Sequence, residues 1–171
     1  TMVLVGTGRL LASVDLVDTS AQTVYGIKDG LSATSPVYSN LRTALKPLRL
    51  TQTGTGASAT RTVACAAATV GACSSANGWY IDLPAGEQIN TRPTIAYGGL
   101  AFVSNINGGS DCSASSYLYV VNALDGKKFV GTNFVSTLVS KTSNSSGVTA
   151  LLTTGQKIVG AGQDADGKPW E

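Results

Sequence analysis

Histidine is absent from the 171 residues. That removes the usual general base and the commonest neutral metal ligand, while carboxylate, lysine or thiolate chemistry stays open. Charge is scarce as well: Asp, Glu, Lys and Arg make up 13% of the chain, about half the usual share. The cations are scattered, at Arg9, Lys28, Arg42, Lys46, Arg49 and Arg61, with only Lys127 and Lys128 adjacent, and the net charge is +2. Nucleic acid binding needs a denser electrostatic footprint, so no nucleic acid partner is expected. No apolar run reaches the roughly 18 residues of a membrane helix, and Thr1-Met2-Val3-Leu4-Val5 lacks the charged leader and cleavage site of a signal peptide. The chain is therefore expected to be a fragment or a mature domain of something larger.

Apolar residues at 43% and twenty glycines, amid many Ser, Thr, Asn and Ala, suit short strands joined by turns in one domain with a sizeable core. Cys65 and Cys73 lie in a Ser/Thr/Ala/Gly-rich stretch and Cys112 in a second polar loop. A local Cys65 to Cys73 disulfide is expected, which fits an oxidising compartment. Cys112 then stays unpaired, pairs with Cys65 instead, or joins a residue of the parent protein.

Period-two alternation recurs along the sequence. Met2 to Gly6 and Gln22 to Ile27 read as strands, the second ended by Lys28-Asp29-Gly30. Residues 36–50 carry helical spacing at Leu41, Ala44, Leu45 and Leu48, but Pro47 interrupts it, leaving a short helix or an irregular connection. Residues 51–76 read as a flexible or disulfide-bearing insertion. Gly78-Trp79-Tyr80-Ile81-Asp82-Leu83-Pro84 is a strand stopped by proline. Thr94 to Tyr97, Gly98-Gly99 and Leu100 to Ser104 form a hairpin, followed after a polar loop by Ser116 to Asn122, an Asp125-Gly126 turn and Lys128-Phe129-Val130. Strand, tight turn, strand, loop, strand, turn and short strand over roughly 40 residues is the size and order of one four-stranded propeller blade. Residues 3–30 imitate its second and third strands, and 147–170 continue the repeat. The predicted fold is all-β, a β-propeller fragment of about three four-stranded antiparallel blades with an incomplete ring, quinoprotein-like in that Leu118 to Lys127 resembles the repeat of such propellers; a sandwich or incomplete barrel explains the periodicity alone almost as well. A fragment of this kind leaves sheet edges for the remaining blades, from the parent or a partner chain, to cover.

Several tracts resemble one family in order and spacing. Met2-Val3-Leu4-Val5-Gly6-Thr7-Gly8-Arg9, Gln22 to Asp29, Gly78 to Pro84, Gly86-Glu87-Gln88-Ile89-Asn90, Gly99 to Asn105, Asp111-Cys112 and Tyr117-Leu118-Tyr119 are similar to the C-terminal propeller of the PilC/PilY family of type IV pilus biogenesis factors and tip adhesins. The resemblance implies a non-enzymatic assembly factor and tip-associated adhesin, secreted to the cell surface, outer membrane or pilus tip of a Gram-negative bacterium. Implied partners are minor pilins or the pilus tip complex, with host or abiotic surfaces as adhesion targets. The family's regulatory calcium loop is an aspartate-rich run that this sequence lacks; Asp164-Ala165-Asp166-Gly167 offers an incomplete ligand series. The resemblance thus implies that any calcium loop would lie elsewhere in the parent protein, and no cofactor or metal is expected in this segment.

Nothing in the sequence nominates a catalytic residue. Gly6-Thr7-Gly8-Arg9 looks like part of a phosphate loop but no suitable helix follows it. Trp79, Tyr80, Tyr97 and Tyr119 are the candidate interaction surface, weighed against ordinary packing between strands. Two other functions stay in view. A quinoprotein-like redox enzyme fragment would need cofactor ligands converging on a ring centre, and a secreted carbohydrate-binding domain would need two of these rings exposed in one groove.

Overall fold

The structure is a computed structural model that describes residues 1–9, 12–29, 38–55, 58–66, 77–96, 98–107, 114–129, 135–142, 148–154, 157–163 and 169–170. Its class is all-β. The strands are β1 Met2–Gly6, β2 Thr23–Lys28, β3 Lys46–Thr53, β4 Thr60–Cys65, β5 Gly78–Asp82, β6 Glu87–Gln88, β7 Thr94–Ala96, β8 Gly99–Asn107, β9 Ala114–Asn122, β10 Ser136–Thr142, β11 Val148–Thr154, β12 Lys157–Gln163 and β13 Pro169–Trp170. A 3-10 turn, Ser13–Val17, and one short helix, α1 Leu41–Ala44, interrupt them among the described residues. Asn40 caps α1 by accepting the Arg42 amide on its side chain, and Pro47 sits in β3, where a helix cannot continue.

Ten strands form one sheet in the order β1-β2-β5-β3-β4-β10-β9-β8-β6, with β7 also on β8, and β11-β12-β13 form a second. All pairings are antiparallel except β3 with β5. Alternation decides which face goes inward. In β5 the residues Trp79 and Ile81 are buried while Tyr80 and Asp82 are not; in β2 it is Val24 and Gly26 that face the core. The core gathers Val24, Leu48, Trp79, Ile81, Leu100, Phe102, Tyr119, Val121 and Val135 from both halves of the large sheet. The sheet therefore curls over its own inner face. Trp79 fastens the curl. Its indole N–H donates to the Ala123 carbonyl at 3.0 Å, and Gly126, at φ +68°, lies on its ring so closely that a Cβ there would stand 2.6 Å from both Leu48 Cδ1 and Trp79 Cδ2. At the two ends of the strand order the Ile89 amide donates to the Thr7 carbonyl at 3.1 Å, one backbone bond where a ladder would close the ring. Among the described residues no sheet is closed.

The predicted meander is present for three of its strands. β7, Gly98 (φ +81°), β8 and β9 follow in order. The fourth position holds one bridge, Val121 with Lys128, because β10, a strand that alternation does not mark, occupies the free side of β9. The described strands do not separate into four-stranded sheets. Of the two readings of residues 51–76, a flexible or a disulfide-bearing insertion, flexibility does not hold at 51–53 and 60–65, which are strand, with β4 inside the sheet between β3 and β10, while Cys65 is in a disulfide. Threonine repetition concealed an alternation in which Arg61 is the buried inward residue. Residues 67–76 and the Asp164-Ala165-Asp166-Gly167 run lie outside the described residues.

Candidate functional site

Two polar constellations stand out, one inside the curl and one on its outer face. The inner one joins β4, β6, β8 and β9. Arg61 is 3% exposed and Glu87 0%. Arg61 Nη1 donates to Glu87 Oε2 at 2.9 Å, and the Tyr119 hydroxyl and Ser104 hydroxyl donate to the same oxygen at 3.0 and 2.6 Å. Arg61 Nη1 also bonds the Tyr119 hydroxyl oxygen, its Nε donates to Gln52 Oε1 at 3.0 Å, and its guanidinium lies 3.6 Å over the Tyr117 ring. The other carboxylate oxygen, Oε1, is 2.6 Å from Arg61 Nη2. Oε1 is buried and has this ion pair but no hydrogen-bond partner. Burial on its own would lower the Arg61 pKa, but the Glu87 hydrogen bond and charge win and hold it above its ordinary value. The Tyr119 phenol is pushed up, first by burial and then by the neighbouring Glu87 charge. Arginine and tyrosine therefore both stay protonated, in a buried charged network that reaches the exposed Gln52 at one end.

Lys46 is a second buried cation. Its amine donates to the Asp125 carbonyl at 3.2 Å, and burial, helped by the Lys127 charge, lowers its pKa. It braces the same turn that covers Trp79.

The outer constellation follows from register. Val5 faces Tyr25, Tyr25 faces Tyr80, and Tyr80 faces Pro47, so one row of outward residues crosses β1, β2, β5 and β3. The two tyrosine rings are 6.1 Å apart at a tilt of 39°. Val3 and Val5, at 47% and 43% exposed, widen the apolar row at the β1 end. Arg42, presented by α1, lies 4.6 Å over the Tyr80 ring and grips Asp82 with both terminal nitrogens, at 2.9 and 2.5 Å. Thr23 donates to the same carboxylate at 2.8 Å. The Arg42 hydrogen bonds, opposed by partial burial and aided by Thr23, hold the Asp82 pKa below its usual range, and Arg42 is raised by the same contact.

The four rings expected to form an interaction surface divide. Trp79 and Tyr119 are fully buried and belong to the core, a correction with a simple cause: each occupies the inward position of its strand. Tyr80, one residue on from Trp79, points the other way and is half-buried on the outer face. Tyr97 lies outside the described residues. Sequence reasoning missed Tyr25, Arg42 and Asp82; the alternation that turns Tyr25 and Tyr80 outward was visible, but their pairing required the β2–β5 register. Cys65 is in a disulfide, while Cys73 and Cys112 both lie outside the described residues. Among the described residues no group of three or more His, Cys, Asp or Glu could hold a metal ion, and no helix is long and apolar enough to cross a membrane. Comparison with protein-family models, with curated proteins and with solved structures finds no match to this protein.

Proposed function

We propose that this protein is a non-enzymatic structural and interaction module, the C-terminal part of a propeller of the PilC/PilY kind, that works in type IV pilus assembly and as part of a tip-associated adhesin. The observation that carries the reading is the division of labour between its two faces. Its densest set of ionisable side chains, Arg61, Glu87 and Tyr119, is buried and paired with one another, as suits a scaffold. The outward row from Val5 to Pro47, with Arg42 and Asp82 beside it, mixes apolar, aromatic and charged groups on a supported sheet, the composition of a protein-binding patch. In this reading 94–129 contributes the strands of one blade, further blades come from the parent or a partner chain, and minor pilins or the tip complex dock on the outer face. The Cys65 disulfide fits secretion to an oxidising cell surface.

The test is genetic and biochemical. In the bacterium that encodes the protein, deleting its gene is expected to reduce surface pili and twitching motility, and Tyr25→Ser with Tyr80→Ser to weaken co-purification of minor pilins while the protein is still exported and folded. Unchanged piliation, motility and surface attachment in the deletion strain would refute the proposal.

A further inference from the structure

β3 and β5 run side by side for only three residues, Lys46 with Trp79 to Leu48 with Ile81. After that β5 stops. Leu83 turns its amide to the Gln22 carbonyl at 2.9 Å, and Pro84 has no amide to offer a neighbouring strand. β3 continues to Thr53, paired with β4 on one side only. On the side that β5 leaves, residues 49–53 meet no strand among the described residues. The fork is a cleft of about 340 Å³, with Leu48, Leu50, Leu83 and Pro84 as apolar walls and Arg49 and Asp82 at its rim.

The rim charges are not equivalent. Asp82 is already matched by the two-toothed grip of Arg42 and the Thr23 hydroxyl. Arg49 is exposed and makes no ion pair among the described residues. Among the described residues the mouth of the cleft therefore carries one uncompensated positive charge beside an unpaired strand edge.

We infer that the β3–β5 fork binds an extended peptide segment that adds to the free edge of residues 49–53, seats an apolar side chain against Leu50 and Leu83, and places a carboxylate at Arg49. Strand addition supplies backbone hydrogen bonds that any sequence can make, while the apolar pocket and the arginine select among sequences. The carboxylate comes from an acidic side chain or from the carboxyl terminus of the bound peptide. This inference does not rest on the pilus reading, because a module of any secreted assembly can use such a slot.

Fluorescein-labelled eight-residue peptides of alternating threonine and valine test it by fluorescence anisotropy on the 171-residue protein. One carries a free C-terminal carboxylate, one an internal glutamate with an amidated end, one is neutral and amidated, and one repeats the tighter acidic peptide with alternate amides N-methylated. At least one acidic peptide is expected to bind about five-fold more tightly than the neutral one, the scale of one partly exposed ion pair, and which of the two does so identifies the source of the carboxylate. Arg49→Gln erases that preference, Arg49→Lys restores part of it, and N-methylation abolishes binding. Amide chemical shifts move at 49–53 and 82–83. Failure of every peptide to bind, equal affinity for the neutral peptide, an unchanged preference in Arg49→Gln with native circular dichroism, or shifts confined to other strands each overturns the inference.

Discussion

Replacing Arg61 by methionine keeps most of the side-chain volume and removes only the charge and its hydrogen bonds. Glu87 would then sit with no solvent exposure, its carboxylate answered by the Tyr119 and Ser104 hydroxyls alone. Breaking one side of a buried pair costs about 3–5 kcal/mol, against a whole-domain stability of about 5–15 kcal/mol. With a urea slope of about 2 kcal/mol per molar the midpoint should fall by about 2 M. Glu87→Met should cost a similar amount by stranding Arg61. The double substitution is the informative one. No unpaired charge remains in it, and the loss reduces to two hydroxyls without their acceptor, about 1–3 kcal/mol each. Adding Tyr119→Phe and Ser104→Ala removes those too and should return much of the stability. A double-mutant cycle followed by urea unfolding is therefore expected to give a coupling of about 4 kcal/mol between Arg61 and Glu87. A cost below about 1 kcal/mol for Arg61→Met, or strictly additive single substitutions, would refute the claim that this pair is a buried, mutually dependent unit.

Alkaline pH should act through Tyr119. Its pKa is raised in the folded protein, so its contribution is intact below the ordinary phenol value near 10 and is lost as pH climbs above it; unfolding free energy should fall by up to about 1.4 kcal/mol per pH unit there, and Tyr119→Phe should flatten that slope in urea titrations. Gly126→Ala should lower stability by about 1–3 kcal/mol, because φ +68° and the nearness of Leu48 and Trp79 both resist a Cβ; thermal unfolding followed by Trp79 emission reads it, and an unchanged midpoint contradicts the packing described. Peptide mass mapping without reductant should recover Cys65 linked to Cys73, and Cys65→Ser should lower the melting temperature; a link to Cys112 instead would overturn the local-loop expectation.

Strand positions were legible wherever alternation was chemically loud. Met2–Gly6, Thr23–Lys28 and Gly78–Asp82 announce themselves by apolar and aromatic residues between glycine or proline stops, and the Gly98 and Gly126 turns by their residue type. β4 and β10 were not, since threonine, serine and alanine carry little contrast between a buried face and a wet one. The inner site was hidden for a related reason. Arg61 looked like one more scattered cation, and nothing local marks it as the partner of a glutamate 26 positions away. Tyr80 was nominated for a surface and lies on one, whereas Trp79 and Tyr119, nominated with it, are the opposite face of the same pleat.

Composition and alternation by themselves determined that this protein is built from strands, that histidine-based chemistry is closed to it, and where most turns fall, because those properties depend on residues within a few positions of each other. Which strands become neighbours was decided only in three dimensions. β5 lies between β2 and β3, and β10 between β4 and β9, so Tyr25 meets Tyr80, Arg61 meets Glu87, and a fork opens beside Arg49. Such pairings depend on register and burial summed over the whole core, and a register shift of one residue would send each of these side chains to the other face.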